Sequence, residues 1–269
     1  MEFRTIVDVE DPGFRIEPCE EMLFVGSCFA DNIGARFKEE KFRATVNPFG
    51  VMYNPASILH TVERLSLAEP SILGSLRTAF FTLGTNHIYR LKETCEIVDN
   101  CQKRPQSLFT EEELTVDECA NYLQKAIDIL RAANPDIRVV LTVSPIRYRK
   151  YGYHGSQLSK ATLLLATRQV AGASYFPAYE IINDELRDYR FYAEDMLHPS
   201  SQAVEYIWQR LSEVYLSDAA KQFIKEWQPL KAALNHKPFN PESQEYRIFM
   251  DKTMLKIAEL QKKYPNFAV

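Results

Sequence analysis

A serine near the start of the chain and an aspartate–histidine pair near residue 195 carry the side chains that acyl-group chemistry needs. Ser27 stands in Leu23-Phe24-Val25-Gly26-Ser27-Cys28-Phe29-Ala30, where an apolar run ends and a helical pattern begins. Asp195 and His198 stand in Glu194-Asp195-Met196-Leu197-His198-Pro199-Ser200. A serine hydroxyl is a weak nucleophile until a base takes its proton. An imidazole is that base when a third group fixes its tautomer and orientation. A carboxylate three residues before a histidine can reach one ring nitrogen and leave the other free. Type and spacing together point to acyl transfer through a serine, with ester hydrolysis as the simplest outcome. Plainer roles stay open at this point. Serine is a preferred helix N-cap, D-x-x-H recurs by chance, and Cys28 is either a rival nucleophile or a small buried side chain.

A serine mechanism also needs donors for a developing oxyanion. The helix that begins after Ser27 offers unpaired N–H groups and the positive end of its dipole. Asn86, in Gly84-Thr85-Asn86-His87, could add its side-chain amide from the rim of a solvent-filled cleft. Backbone N–H groups of Ser27 and of Gly50, in Asn47-Pro48-Phe49-Gly50, could complete the set. The alternative for Asn86 is an ordinary turn residue. Thr85 beside it is a candidate substrate contact. Arg147 and Lys160 are candidates for binding a substrate anion, with surface or loop roles as the alternative. His154 is read as part of a Gly-Tyr-His-Gly loop that lines the cleft. His60 and His87 are read as structural, and His236 falls in a C-terminal appendage.

These residues need a frame, and the apolar pattern supplies one. Met22–Val25, Phe42–Val46, Thr78–Leu83, Ile137–Val143 and Ala173–Phe176 are short apolar runs suited to buried strands. Between them lie helical stripes. Phe29, Ile33 and Phe37 recur every four residues, and Ile58, Leu59, Val62 and Leu65 follow Pro55. Val116–Ala133 carries Leu123, Ala126, Ile127 and Leu130, Ser159–Val170 is helical, and a helix from Pro199 carries Ala203, Ile207 and Leu211. Ile88–Val98 reads as a hairpin beside the sheet. Strands alternating with helices predict an α/β fold, a mainly five-stranded parallel sheet covered on both faces. Ser27, Gly84-Thr85-Asn86 and Ser144 each follow a strand, so all fall on the carboxyl edge, where such sheets hold their sites. The expected organisation is an arm over residues 1–20, a hydrolase-like domain over 21–216 and a helical extension over 217–269. In the extension, Phe223, Trp227 and Leu230 form one stripe, and Tyr246, Phe249, Ile257 and Leu260 another.

Composition narrows the classes. The chain has 269 residues, 46% of them hydrophobic, enough for a substantial core. A formal net charge of −4 gives no general electrostatic case for nucleic acid or an anionic membrane. No stretch approaches the ~18 apolar residues of a membrane helix. The N-terminus, Met1-Glu2-Phe3-Arg4-Thr5, has no apolar h-region, so no secretory leader is expected. The five cysteines form no C-x-x-C pair, which predicts free thiols in a cytoplasmic setting. No metal and no cofactor is expected, since metal ligands do not cluster in the sequence. The expected partner is a small-molecule or glycan ester, with no call on oligomeric state.

Gly26-Ser27-Cys28-Phe29-Ala30 is the signature that names the GSCFA family, which resembles a branch of the SGNH (GDSL-type) hydrolases. Asn47-Pro48-Phe49-Gly50, Leu83-Gly84-Thr85, Tyr89-Arg90-Leu91-Lys92-Glu93-Thr94, Ser144-Pro145-Ile146-Arg147 and Asp195–Ser200 resemble that family's blocks in the same order, over roughly residues 20–215. The resemblance implies a flavodoxin-like three-layer α/β/α sandwich. It implies Ser27 as nucleophile, His198 as base and Asp195 as its orienting partner. A glycine and an asparagine complete the oxyanion hole in the wider superfamily, which maps onto Gly50 and Asn86. Gly84-Thr85-Asn86 resembles the G-x-N-D block, with His87 in place of its aspartate. One departure is a short stretch between Leu65 and Thr78, where the family carries a longer insertion bordering the cleft. The expected activity is a serine esterase or deacylase. Acyl transfer through the same triad, or a binding module on the same fold, is the alternative.

Overall fold

The computed structural model describes residues 3–102 and 104–267; Met1, Glu2, Lys103, Ala268 and Val269 lie outside these. In chain order the elements are β1 (Glu21–Gly26), α1 (Cys28–Glu39), β2 (Arg43–Val46), α2 (Pro55–Ala68), α3 (Pro70–Ser75), β3 (Thr78–Leu83), β4 (His87–Leu91), β5 (Ile97–Val98) and β6 (Phe109–Glu113). There follow α4 (Val116–Ala133), β7 (Arg138–Val143), α5 (Gly152–Gln169), β8 (Ser174–Tyr175) and the one-turn α6 (Ala178–Glu180), which runs into a π-helical stretch over Ile181–Leu186. The chain then forms α7 (Ser201–Tyr215), α8 (Asp218–Leu234) and α9 (Gln244–Lys263).

Five strands pair in parallel in the order β2-β1-β3-β7-β8. This is the flavodoxin-like order, in which the chain reverses its direction of growth at β1 and opens a crevice beyond the carboxyl ends of β1 and β3. The central strands β1, β3 and β7 are buried on both faces, and alternate side chains reach opposite layers. Leu23, Val25, Ala79, Phe81, Leu83, Val139 and Leu141 pack against Leu59, Val62, Leu123, Ile127 and Leu163 of α2, α4 and α5. Met22, Phe24, Phe80 and Val140 pack against Phe29, Ile33, Phe37, Ile207 and Leu211 of α1 and α7. Phe37 sits edge-on to Trp208 at 4.7 Å, which locks α1 to α7. Burying a side chain of this size is worth roughly 1.5–3 kcal/mol.

Both α1 and α7 run from the carboxyl edge of the sheet to its amino edge. Ser27 links β1 directly into α1, and α7 ends where Tyr215 O accepts Ile16 N–H at 2.8 Å, just ahead of β1. Arg36 and Glu205 bridge the two helices at 3.0 Å. The starts of α1 and α7, which carry Ser27 and the His198 loop, therefore lie on the same edge. The C-terminal helices pack at the other one. Phe223, Trp227, Leu230, Ile257, Leu260 and Phe267 enclose Cys19, two residues before β1. Trp227 Nε1 donates to Glu39 O at 2.9 Å, and Lys231 pairs with the buried Glu40 at 2.9 Å, at the far end of α1.

Three elements differ from the sequence expectation. The hairpin at Ile88–Val98 belongs to a three-stranded antiparallel sheet, β5-β4-β6, whose third strand is Phe-Thr-Glu-Glu-Glu. One apolar residue in five hides that strand. Its glutamates are paired, Glu112 with Arg90 of β4 at 3.1 Å and Glu111 with Lys150, in the turn ahead of α5, at 2.9 Å. The helix expected from Ser159 begins at Gly152, so His154 is helical and exposed, not in a loop. The shortened stretch after Leu65, for which the sequence predicts no element, holds the end of α2 and the short α3, started by Pro70. Among the described residues, no helix is long and apolar enough to cross a membrane.

Candidate active site

Ser27 occupies a turn that the sheet forces into close contact. Gly26 pairs with Thr82 across β1 and β3, and a Cβ at Gly26 would lie 2.2 Å from Thr82 O. Only glycine fits there, and its φ of 146° is also poorly open to other residues. Asn47 Oδ1 accepts the Gly26 N–H at 2.9 Å, while Asn47 Nδ2 donates to Asp31 Oδ1 at 2.7 Å. Ser27 follows as the N-cap of α1. Its Oγ accepts Phe29 N–H at 3.2 Å and pairs with Thr82 Oγ1 at 3.1 Å. The residue is fully buried. No hydrogen bond joins it to His198 among the described residues.

The aspartate and histidine do come together. His198 Nδ1 lies 2.6 Å from Asp195 Oδ2, and Asp195 Oδ1 accepts the N–H groups of Leu197 at 2.8 Å and His198 at 3.0 Å. The loop that brings this about is tight. Met196 takes φ 58°, Ala193 N–H reaches His198 O at 2.8 Å, and Tyr192 bridges Pro199. These N–H donors, foremost that of His198, with the imidazole, hold the Asp195 carboxyl at about 2. An ionised carboxylate on Nδ1 favours the tautomer with its hydrogen there, leaving a lone pair on Nε2. The imidazole is 40% exposed, and Nε2 has no hydrogen-bond partner among the described residues.

The oxyanion donors expected from the sequence are engaged elsewhere. Ser27 N–H donates to Thr82 O at 3.1 Å, extending the β1–β3 ladder. Gly50 N–H donates to Asn47 O at 2.8 Å within its own turn. Asn86 Nδ2 donates to Leu114 O at 2.8 Å, tying the β3–β4 junction to the start of α4. At 2% exposure Asn86 is packed inside and does not face a solvent-filled cleft. Thr85 is likewise internal, its Oγ1 lying 3.0 Å from Ser159 Oγ. One N–H at this edge remains open. Cys28 is the first residue of α1, and its amide can have no partner within the helix.

Arg147 and Lys160 have different fates. Arg147 N–H and Nη1 donate to Leu197 O at 3.0 Å and Met196 O at 3.2 Å, fastening the His198 loop to the segment after β7. Its guanidinium lies 4.5 Å from the Tyr153 ring and 5.3 Å from the Tyr192 ring. Arg147 lines a cleft of about 270 Å³ with Gln157, Asn183, Tyr189 and Tyr192. Lys160 is no surface anion binder. It is 2% exposed, and its Nζ donates to Gly84 O at 2.7 Å and Ser144 O at 2.8 Å, spanning the carboxyl ends of β3 and β7. Burial lowers its amine from 10.5 to about 7. His87 stacks on Tyr151 at 3.6 Å, and burial lowers its imidazole below the ordinary value. Thr82, which holds the serine hydroxyl, was not among the residues expected from sequence. Its one signal was its place near the end of an apolar run; that this strand pairs with β1 is visible only in the fold.

Several solved structures resemble this one. A carbohydrate esterase family 3 protein from Talaromyces cellulolyticus is 13% identical at TM-score 0.40, covering 77% of this chain and 99% of its own. A lipase from a goat rumen metagenome is 12% identical at TM-score 0.44, covering 74% and 99%. A catalytic mutant of an acetylxylan esterase from Geobacillus stearothermophilus is 10% identical at TM-score 0.44, covering 76% and 98%. Among curated proteins nothing matches the chain. Residues 227–269 match the GSCFA domain protein, C-terminal domain. Residues 21–73 and 68–211 match the GSCFA family, the division falling inside the shortened stretch, and the chain belongs to that family.

Proposed function

We propose that the chain is a serine-dependent ester hydrolase with Ser27 as nucleophile, His198 as general base and Asp195 as the group that orients it. The observation that carries this reading is the Asp195–His198 pair at 2.6 Å, with Nε2 unpartnered on the edge where β1 delivers a serine into α1. For attack, the Ser27 hydroxyl turns from Thr82 toward His198. Its proton passes to Nε2 as Oγ bonds the acyl carbon, and the carbonyl π electrons move onto oxygen. Collapse expels the alcohol, which takes the proton from His198. Water then repeats the sequence and frees the acid. Loss of the cap bond to Phe29 N–H during this turn costs on the order of 1 kcal/mol, small beside the barrier lowering of a triad.

The substrate class this supports is a small acyl ester whose alcohol portion reaches toward the Arg147 cleft. Tyrosine faces there suit the C–H surface of a sugar ring, and Gln157 and Asn183 suit its hydroxyls, as in an O-acetylated glycan. Transfer to another alcohol would use the same acyl-enzyme. One observation favours a binding module on this fold instead, the complete burial of Ser27 with both its hydroxyl contacts satisfied internally. A fluorophosphonate probe with p-nitrophenyl acetate separates the classes. The esterase reading expects labelling of Ser27 and loss of roughly 10⁴-fold or more in hydrolysis in Ser27→Ala. An unlabelled, inactive wild type would reject it.

A further inference from the structure

Eight buried side-chain polar atoms have no hydrogen-bond partner among the described residues, and one is the hydroxyl of Tyr148. Such a group costs about 1–3 kcal/mol when left unmade and calls for an explanation. Its location suggests one. A Cβ at Gly84 would lie 2.6 Å from the Tyr148 hydroxyl, so the phenol rests on bare backbone just past the end of β3. Cys28, the residue next to Ser27, has its Sγ 4.0 Å from the Tyr53 hydroxyl, and the Tyr53 ring in turn packs on that of Tyr148. The carbonyl nearest that spot, Tyr53 O, already accepts Gly84 N–H at 2.9 Å and Thr85 N–H at 2.8 Å. Its lone pairs are taken, and the phenol is left with its hydrogen to give.

The ring is held in place. Tyr148 N–H donates to Ser156 Oγ at 3.2 Å, the Tyr53 ring meets it edge-on at 6.2 Å, and Lys160 Nζ lies 5.3 Å from its centroid. The Gly50 and Ser27 N–H groups expected at this edge are spent within the fold, and the buried Asn86 amide is anchored to Leu114 O. We infer that the Tyr148 hydroxyl, with the free Cys28 N–H, donates a hydrogen bond to the oxyanion formed when Ser27 attacks an ester. This assignment rests on the serine-esterase reading above. The phenol keeps its proton throughout. Burial pushes its ionisation well above the ordinary phenol range, so it serves as a donor and not as an acid. Gly84 contributes by lacking the side chain that would occupy the space.

Tyr148→Phe in the full chain tests the assignment, because it keeps the ring and removes one oxygen. With p-nitrophenyl acetate, kcat should fall about 10- to 100-fold with little change in KM, since the bond forms fully only in the transition state. The melting temperature should hold or rise, because an unpartnered buried hydroxyl is removed. A structural phenol predicts the opposite pattern, a fall in melting temperature with kcat intact. Fluorophosphonate labelling of wild-type Ser27 together with unchanged kcat in Tyr148→Phe overturns the Tyr148 assignment alone. No labelling of the wild type overturns the serine reading and this assignment with it.

Discussion

Replacing Lys160 with methionine should change how the stability of the protein responds to pH. The Lys160 amine is buried between Gly84 O and Ser144 O, under the rings of Tyr148 and Tyr179, with no carboxylate in salt-bridge range among the described residues. Removal from water is the cause that lowers it from 10.5 to about 7. In the unfolded chain the same amine keeps its proton to about 10.4. Between these values the unfolded state binds a proton that the folded state has released, so stability rises with pH across that window. One proton is worth about 1.4 kcal/mol per pH unit. Carbonyl contacts favour the ammonium and temper the effect, which leaves a gain of about 2–4 kcal/mol from pH 7 to pH 10. Urea denaturation of wild type and Lys160→Met, measured from pH 6 to pH 10, reads this directly. Methionine keeps the apolar stem and leaves two carbonyls without donors, an offset that does not vary with pH. Subtraction of the two curves removes the titration of every other group. The difference should be flat below about pH 7 and move in favour of the wild type above it. A difference that stays flat to pH 10 would show an amine still charged in the fold, and the desolvation argument would be wrong.

Other expected outcomes follow from the same edge of the sheet. Asn86→Ala should lower stability by about 1–3 kcal/mol, because Leu114 O loses its donor inside the protein; an unaltered melting temperature with a large fall in kcat would restore Asn86 as an oxyanion donor. Asp195 stays ionised down to about 2, so its carboxylate remains charged as the pH falls from 7 to 4. The pH profile of p-nitrophenyl acetate hydrolysis over that range should therefore carry no step from Asp195, and the slope of log kcat/KM should not exceed one. A slope of two would mean that the carboxylate titrates there as well.

Local relationships were readable from the residues alone, and distant ones were not. Asp195 and His198 are three residues apart, a spacing that lets the carboxylate reach the ring, as it does. The central strands β1, β3 and β7 announce themselves as apolar runs, because both their faces are buried. Ser27 and Thr82 are 55 residues apart, and no local pattern says which strand will lie beside β1. The same limit hid the fates of Gly50 and Asn86, whose residue types suit an oxyanion hole but whose hydrogens go to Asn47 O and Leu114 O. Lys160 misled through its polarity. A lysine reads as surface, and only the convergence of two strand ends explains why one is buried. His154 misled through its neighbours, since Gly152 and Gly155 suggest a loop, whereas Gly152 makes its turn at φ 66° and the helix starts there.

The enclosure of Cys19 by Phe223, Trp227 and Phe267 has a consequence for biosynthesis. A chain growing from its N-terminus on a ribosome makes Cys19 long before Phe223, the first of the residues in α8 and beyond that cover it. The sheet and its flanking helices can assemble once α7 has emerged, since Ile16 meets Leu216 and Glu17 meets Ser217 across a span of 200 residues. The enclosure of the thiol is complete only when α8 and α9 dock. In the finished protein, burial lifts it to about 12, where it is inert. The inertness of the thiol thus depends on the docking of α8 and α9, on the edge of the sheet away from Ser27.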